Sequence, residues 1–184
     1  MELDNDTYVY RVINNKHIRL SRENWMDIWS WRENKTKPSY WFKINTYLHT
    51  NQDGYKLYTI KINCKTHNLS RVIYKLYNKD WDITDSSSDN HIDHINVNSL
   101  DNRIENLRVL TNQQNTWNKK DTRGYWFDKR KGKYRAQLMC NGKLINGKDR
   151  ETAEEARADY LLLKEKYHIM PTNQEGSNHT QITT

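Results

Sequence analysis

The chain has 184 residues and a formal net charge of +7, from 30 Lys and Arg against 23 Asp and Glu. Hydrophobic residues make up only 35% of it, so any core must be small. This excludes large enzyme barrels and doubly wound sheets, which need about 200 residues or more. Cys64 and Cys140 stand far apart, which excludes a disulfide scaffold and a four-cysteine zinc site. With no apolar run of about 18 residues and no basic signal-peptide start, we expect an intracellular protein with no membrane partner.

The first 50 residues predict a hairpin followed by a short helix. Two β-like segments within residues 8–20 flank a pair of asparagines, which is a common turn sequence. Ser21 can cap the helix, because Trp25, Ile28 and Trp29 recur at the i, i+3, i+4 spacing of one helical face. We expect the tryptophans of this region, Trp25, Trp29, Trp31 and Trp41, to form a local core rather than a site.

The middle of the chain predicts alternating short strands and helices. Residues 55–62 alternate as a strand does, and apolar residues within 68–78 recur at helical spacing. Two short β-like pieces follow at 91–95 and 107–110, separated by a polar loop. Thr111 is a natural N-cap for a polar helix directly after the second piece.

The last third predicts three strands and one amphipathic helix. The strands are expected at 124–128, 133–139 and 143–147, with an Asn-Gly turn before the last of them. A capping box opens the helix at Thr152. The polar residues 171–184 predict a disordered tail.

The excess positive charge is concentrated in one stretch. Residues 116–150 contain eleven Lys and Arg against three Asp, a net charge of +8, and five aromatic residues stand between the basic ones. Considered without the aromatic residues, the charge would be explained equally well by a solvated basic face that binds no partner. The interleaved aromatics favour a surface that binds a polyanion, most simply nucleic acid.

One segment carries candidate catalytic chemistry. Asp93 and His94 are adjacent on a predicted strand, and Asn115 lies on the helix that follows the second strand. Carboxylate and amide oxygens suit Mg²⁺ or Mn²⁺ rather than zinc. A neutral histidine beside such an ion can remove a proton from an attacking water.

The spacing of this segment resembles the HNH nuclease motif of the ββα-metal class, found in homing endonucleases. The motif positions are matched by Asp93, His94, Asn98, Asn102, Arg103, Asn106, Leu107, Arg108, Thr111 and Asn115. The resemblance implies that His94 is the general base and that Asp93 and Asn115 hold the metal. The resemblance also places Asn106 in the catalytic centre with His94. There Asn106 is the structural asparagine that fixes the loop between the two strands.

The turn after the catalytic strand departs from the family pattern. Asn96-Val97 stands where the family commonly has Asp-Gly. A β-branched residue tolerates a positive φ poorly, so we expect a turn of different shape here.

The last third resembles the DNA-binding domain of the APETALA/ethylene-responsive type, in which a three-stranded sheet lies in the major groove. That resemblance implies six residues that contact DNA: Arg123, Trp126, Arg130, Lys133, Arg135 and Lys143. Four further basic residues before, in and after the nuclease motif are predicted to bind nucleic acid as well: Arg71, Arg108, Lys119 and Lys120.

Together these features predict an α+β fold with a ββα-metal core and a C-terminal three-stranded antiparallel sheet on one helix. The expected divisions are 1–50 of unknown role, a nuclease core at 51–120, a DNA-binding domain at 121–170 and the tail at 171–184. The predicted function is a metal-dependent HNH endonuclease of the homing type, acting on double-stranded DNA as a monomer or weak dimer. The alternatives are a DNA-binding regulator with a relic nuclease core and, less favoured, an RNA-binding protein.

Overall fold

The computed structural model describes residues 4–117 and 122–170, which form a mixed fold of antiparallel sheets and few helices. The first sheet has the order β1-β2-β3-β4, and its strands are Tyr8–Ile13, Lys16–Ser21, Ile28–Arg32 and Tyr40–Lys43. The second sheet has the order β5-β6-β7 and leads into helix α1; these elements are Thr46–Thr50, Lys56–Ile62, Lys65–Asn68 and Leu69–Tyr77.

The rest of the described chain forms two further antiparallel sheets, each followed by a helix. A two-stranded sheet of β8 and β9 is interrupted by a 3-10 turn and followed by helix α2; the elements are His91–His94, Ile104–Asn106, Leu107–Leu110 and Asn112–Trp117. The last sheet has the order β10-β11-β12 and is followed by helix α3; the elements are Tyr125–Asp128, Lys133–Cys140, Lys143–Arg150 and Ala153–Tyr167. The predicted hairpin at 8–20 and the predicted helix at 68–78 are confirmed, as are the three C-terminal strands. The predicted tail at 171–184 lies outside the described residues.

The prediction of a helix after Ser21 is wrong, because the strand β3 forms in this segment. Ser21 Oγ does accept hydrogen bonds from backbone N–H groups, those of Glu23 and Asn24, but the turn they close leads into a strand. Residues 28–32 alternate between a core face and an outer face, and Ile28 is fully buried. Pairing with strands on both sides decides the outcome, since β-branched and aromatic residues suit a half-buried sheet.

The first two sheets and the β8-β9 hairpin share one hydrophobic core around α1. Buried side chains come from β1 to β3, from β6, from α1 and from the start of β9: Val9, Ile13, Ile18, Leu20, Ile28, Ile60, Ile62, Leu69, Val72, Ile73, Tyr74, Leu76 and Leu107. The second sheet also crosses the predicted boundary at residue 50, because Thr50 pairs with Lys56. The division of the chain into domains stays a prediction.

The C-terminal sheet packs on α3 through a separate small core. Ala136, Leu138 and Cys140 on β11 face Tyr160 on α3. The predicted capping box is present, with the Thr152 hydroxyl and the Glu155 carboxylate each accepting from the other residue's backbone N–H. Trp117, the last residue of α2, joins this core and stacks on His168 with ring centroids 4.1 Å apart.

In the described part of the chain, we find no helix with the length and apolar character needed to cross a membrane.

Candidate active site and nucleic-acid interface

The β8-β9 hairpin sets the geometry of the candidate site. Its register places Asp93 opposite Arg108 and His94 opposite Leu107. Helix α2 begins two residues after β9 and contacts both strands. The hairpin and the helix therefore bring the predicted catalytic strand and the helix that carries Asn115 together.

The Asn106 side chain fixes the loop between β8 and β9. Its Oδ1 accepts from the backbone N–H of Asn96 at 2.9 Å. Its Nδ2 donates to Asn96 Oδ1 at 3.0 Å and to the Asp101 carbonyl at 2.7 Å. These are the loop-fixing contacts that the resemblance implies for this residue, while a direct part in catalysis stays a prediction.

Asp101 adds a charged support to the same loop. It accepts from Arg103 Nε at 2.8 Å and from the Asn96 side-chain amide at 2.9 Å. The hydrogen bond from Arg103 is the main cause that lowers the pKa of Asp101 to about 2. A depressed carboxyl pKa stabilises the folded state above the unfolded value, and that contribution is lost as the pH falls towards 2.

We expected the turn at Asn96-Val97 to change shape because a β-branched residue tolerates a positive φ poorly, but Val97 does adopt a positive φ. Its φ is 62°, in the left-handed region, and its backbone N–H donates to the His94 carbonyl at 2.9 Å. The amide contacts of Asn96 and Asn106 hold the turn on both sides, so the surrounding loop imposes the left-handed conformation on Val97. Backbone strain is therefore stored next to the candidate base.

We expect Val97→Gly to stabilise the folded protein by about 1 kcal/mol, since a non-glycine residue in a sparsely populated region costs about 1–3 kcal/mol. Glycine loses some of this gain through its greater freedom in the unfolded chain. The Val97 side chain is 47% exposed, so little burial is lost. Thermal unfolding measures the effect, and Val12→Gly, at an equally exposed valine within a strand, is the control that should destabilise. A lower unfolding temperature for Val97→Gly would show that the loop does not strain this residue.

Asp93 is buried and paired with Arg108 across the hairpin. Arg108 Nε donates to Asp93 Oδ2 at 2.9 Å, and the two side chains are 12% and 9% exposed. Because both groups are buried, breaking the pair is costly: removing either partner leaves a charge in a poorly solvated place. Arg108, predicted to bind nucleic acid, thus contacts the predicted metal ligand.

His94 is oriented by a residue whose role the sequence did not reveal. His94 Nε2 lies 3.0 Å from Asn102 Oδ1, and Asn102 is almost fully buried. Because the amide oxygen only accepts, this contact places the ring proton on Nε2 and the lone pair on Nδ1. Asn102 was visible as a motif position, but the spacing alone did not show which side chain it contacts.

Helix α2 carries the second predicted metal ligand, Asn115. Its start is fixed by Thr111, whose Oγ1 accepts from Gln114 N–H at 3.2 Å while the Gln114 side chain accepts from Thr111 N–H at 3.0 Å. One carboxylate and one amide oxygen fit Mg²⁺, which is held by few protein ligands and keeps several waters. Within the described residues, no group of three or more His, Cys, Asp and Glu side chains forms a metal cluster.

Comparison with known proteins supports the nuclease interpretation of this segment. Residues 67–116 match the HNH endonuclease family model. This HNH segment contains α1, the β8-β9 hairpin and nearly all of α2, and the match indicates nuclease activity on DNA. It ends before the C-terminal sheet. No curated protein and no solved structure matches the chain.

Arg71, in α1 of the HNH segment, holds the chain that leads into β8. Its guanidinium donates to the carbonyl oxygens of Asn90 at 2.9 Å, Ile83 at 2.9 Å and Asp85 at 2.7 Å. It also lies 4.7 Å from the centre of the Trp81 ring. These contacts give Arg71 a structural task, and contact with DNA stays a prediction.

The C-terminal candidates divide between two faces of the last sheet. Trp126 pairs with Arg135 across β10 and β11, and Lys133 lies two residues along the same strand, so these three share the face away from α3. Lys143 pairs with the buried Cys140 and therefore lies on the α3 side. Arg130 lies in the β10-β11 turn and Arg123 precedes β10, with its guanidinium 4.7 Å from the Tyr125 ring. The remaining candidates, Lys119 and Lys120, lie outside the described residues.

Acidic residues partly neutralise this basic face. Asp149 accepts from Arg135 Nε at 2.7 Å and from Lys131 Nζ at 3.1 Å, and both contacts lower its pKa. Lys133 forms an ion pair with Glu151. A DNA phosphate that binds this face would replace these carboxylates as the partner of Arg135, Lys131 and Lys133.

Proposed function

We propose that this chain is a metal-dependent endonuclease that hydrolyses phosphodiester bonds in double-stranded DNA, of the homing or mobile-element type. The observation that carries the proposal is the pair of Asp93 and His94 on β8, facing β9 and followed by α2, inside the segment that matches the HNH family. Residues of these types in this order supply a metal-binding carboxylate, a base and an amide oxygen.

His94 is the proposed general base, because its Nδ1 lone pair is the one that can accept the proton of an attacking water. Asn102 holds the ring through Nε2, which fixes both the tautomer and the direction of Nδ1. Asp93 and Asn115 would hold Mg²⁺ or Mn²⁺, which supplies stabilisation of the charge on the phosphate and on the leaving oxygen. Arg108 positions the Asp93 carboxylate through Oδ2.

The C-terminal sheet is the proposed DNA-recognition element, by its resemblance to the APETALA-type domain. Residues 122–150 hold nine Lys and Arg against two Asp, and Trp126, Lys133 and Arg135 share one face. Base contacts from such a face would give site preference, and phosphate contacts would give most of the affinity.

Metal-dependent nicking of a supercoiled plasmid tests the proposal, with Asp93→Asn as the decisive variant. We expect nicking with Mg²⁺ or Mn²⁺, none with EDTA, and a loss of about 10² or more for Asp93→Asn, since the charged ligand oxygen is gone. Asparagine keeps an acceptor for Arg108 Nε but not the charge that pairs with it, so thermal unfolding of the variant is measured beside its nicking activity, and Zn²⁺ should not restore that activity. Asp89→Asn, at an exposed carboxylate before β8, is the matched control and should cut normally.

Two results would contradict the proposal. Equal activity of Asp93→Asn and the wild type would remove Asp93 from the metal site. Tight DNA binding by the wild type without nicking under any metal would favour a DNA-binding regulator with a relic nuclease core.

A further inference from the structure

The first sheet curls so that its outer face forms a concave surface, here called the aromatic hollow. It is formed by five aromatic residues and one arginine: Tyr8, Tyr10, Arg19, Trp29, Trp31 and Trp41. In a flat sheet the first and fourth strands lie about 14 Å apart. The rings of Tyr10 on β1 and Trp41 on β4 are nevertheless 5.8 Å apart at their centroids, so the sheet closes around this face.

Arg19 places a positive charge at the centre of the aromatic hollow. Its guanidinium carbon lies 4.5 Å from the Tyr8 ring centre, 5.0 Å from that of Trp29 and 4.6 Å from that of Trp41. Across residues 4–117 and 122–170, no carboxylate forms an ion pair with Arg19, and its buried Nε has no hydrogen-bond partner. The rings hold the cation, but they do not neutralise its charge.

The open end of the aromatic hollow contains a cavity of about 670 Å³. Tyr10, Trp31 and Trp41 supply its aromatic wall. Its ionisable lining residues, besides Tyr10, are Asp4, Arg11, His17, Glu33 and Lys79. Asp4 and Arg11 pair with each other at 2.7 Å. The volume is within the range of about 300–1,000 Å³ typical of ligand clefts.

We propose that the aromatic hollow binds an unpaired nucleotide of single-stranded DNA. The base stacks on the indole of Trp31 or Trp41, the phosphate faces Lys79 in the cavity lining, and Arg19 adds its positive charge from behind the Trp41 ring. Aromatic rings bind single strands because every base has a π-face, and a neighbouring cation complements the phosphate. The inference does not depend on the proposed cleavage, since it concerns binding in the absence of metal.

A protein partner would also use tryptophan, tyrosine and arginine, but two observations favour a nucleotide. The strands β1 to β4 contain no carboxylate, and on their outward face Arg19 has no ion pair among the described residues, while Lys43 is paired with Asp27. The cavity is also a half-open cleft beside flat rings, and its size suits one planar base better than an extended protein surface.

The test measures the affinity of the full chain for a short fluorescein-labelled oligo(dT) in EDTA, by fluorescence anisotropy. We expect Trp41→Leu to weaken binding at least about fivefold, or about 1 kcal/mol, and Trp41→Phe to change it by less than about twofold, because phenylalanine keeps a stacking surface. Phe42→Leu is the matched control. It is the next residue on β4 but faces the other side of the sheet, so it should bind like the wild type.

Two further measurements separate bases from phosphates and single strands from duplex. An abasic oligonucleotide of the same length should bind the wild type at least about fivefold more weakly than oligo(dT). A duplex should bind all variants equally, since its bases are already stacked. Photocrosslinking of the wild type with a 5-bromouracil oligonucleotide needs no variant, and should label peptides within residues 29–41.

The proposal fails if Trp41→Leu binds oligo(dT) like the wild type, or if the abasic strand binds equally well. Crosslinks found only within residues 122–150 would also overturn it. Loss of self-association in Trp41→Leu with unchanged oligonucleotide affinity would instead assign the aromatic hollow to contacts between copies of the chain.

Discussion

His94→Ala should lower the rate of DNA cleavage by about 10² to 10⁴, the usual cost of losing a general base. The affinity for duplex DNA should change little, because the imidazole acts on water and not on the groove. Single-turnover cleavage of a labelled duplex in Mg²⁺ measures the rate, and a filter-binding titration in Ca²⁺ or EDTA measures the affinity.

The position of Asn102 allows a sharper version of this experiment. Asn102→Leu removes the partner of His94 Nε2 but leaves the imidazole in place, so it should lower the rate less than His94→Ala. It should also change the pH dependence of cleavage, because the tautomer is no longer fixed. His91→Ala, on the same strand, should cut normally. Wild-type rates for His94→Ala would show that another group is the base.

Removal of residues 122–184 should separate cutting from recognition. The deletion takes away the basic C-terminal sheet, and phosphate contacts supply most non-specific affinity, with log K falling against log salt at about 0.9 per contact. The shortened chain should therefore bind weakly with a shallower salt slope, and nick DNA only at high enzyme concentration and with little site preference. The core around α1 should stay folded, because it contains no residue from the deleted part.

Arg135→Ala in the full chain is the milder comparison. It should cost about 1–3 kcal/mol of DNA-binding free energy if Arg135 contacts a base, and should relax the choice of base at one position of the target. The deletion also removes His168, so Trp117 loses its stacking partner, and the full-length variant His168→Ala controls for that loss. Unchanged affinity and specificity of the shortened chain would place recognition in the N-terminal part.

The sequence predicts the two strands of the β8-β9 hairpin well because their determinants are local. Asp93, His94 and Asn106 lie within 14 residues of one another, and turn residues and strand propensities act over that distance. The ion pair of Asp93 with Arg108 was not predicted. It depends on the register of β8 and β9, which is known only after the loop between them has its shape.

The sequence predicts the N-terminal sheet only in part. Trp25, Ile28 and Trp29 have helical spacing by coincidence, while the partners that make β3 a strand lie 8 to 14 residues away on β2 and β4. The same limit applies to the basic C-terminal face. Arg135 is paired by Asp149, which lies on the next strand, so a count of charges along the chain did not reveal the neutralisation.

All the paired strands in the described structure are neighbours along the chain, and this has a consequence for how quickly the protein reaches its native state. Most hairpins close a short loop, and the β8-β9 loop spans only residues 95–106, so the entropic cost of strand pairing is low and folding is expected to be fast for a protein rich in β-structure. Each sheet can also pair as soon as its last strand leaves the ribosome, from the N-terminal side onwards. The proposed nuclease unit then completes its ββα arrangement before synthesis of the C-terminal sheet has ended.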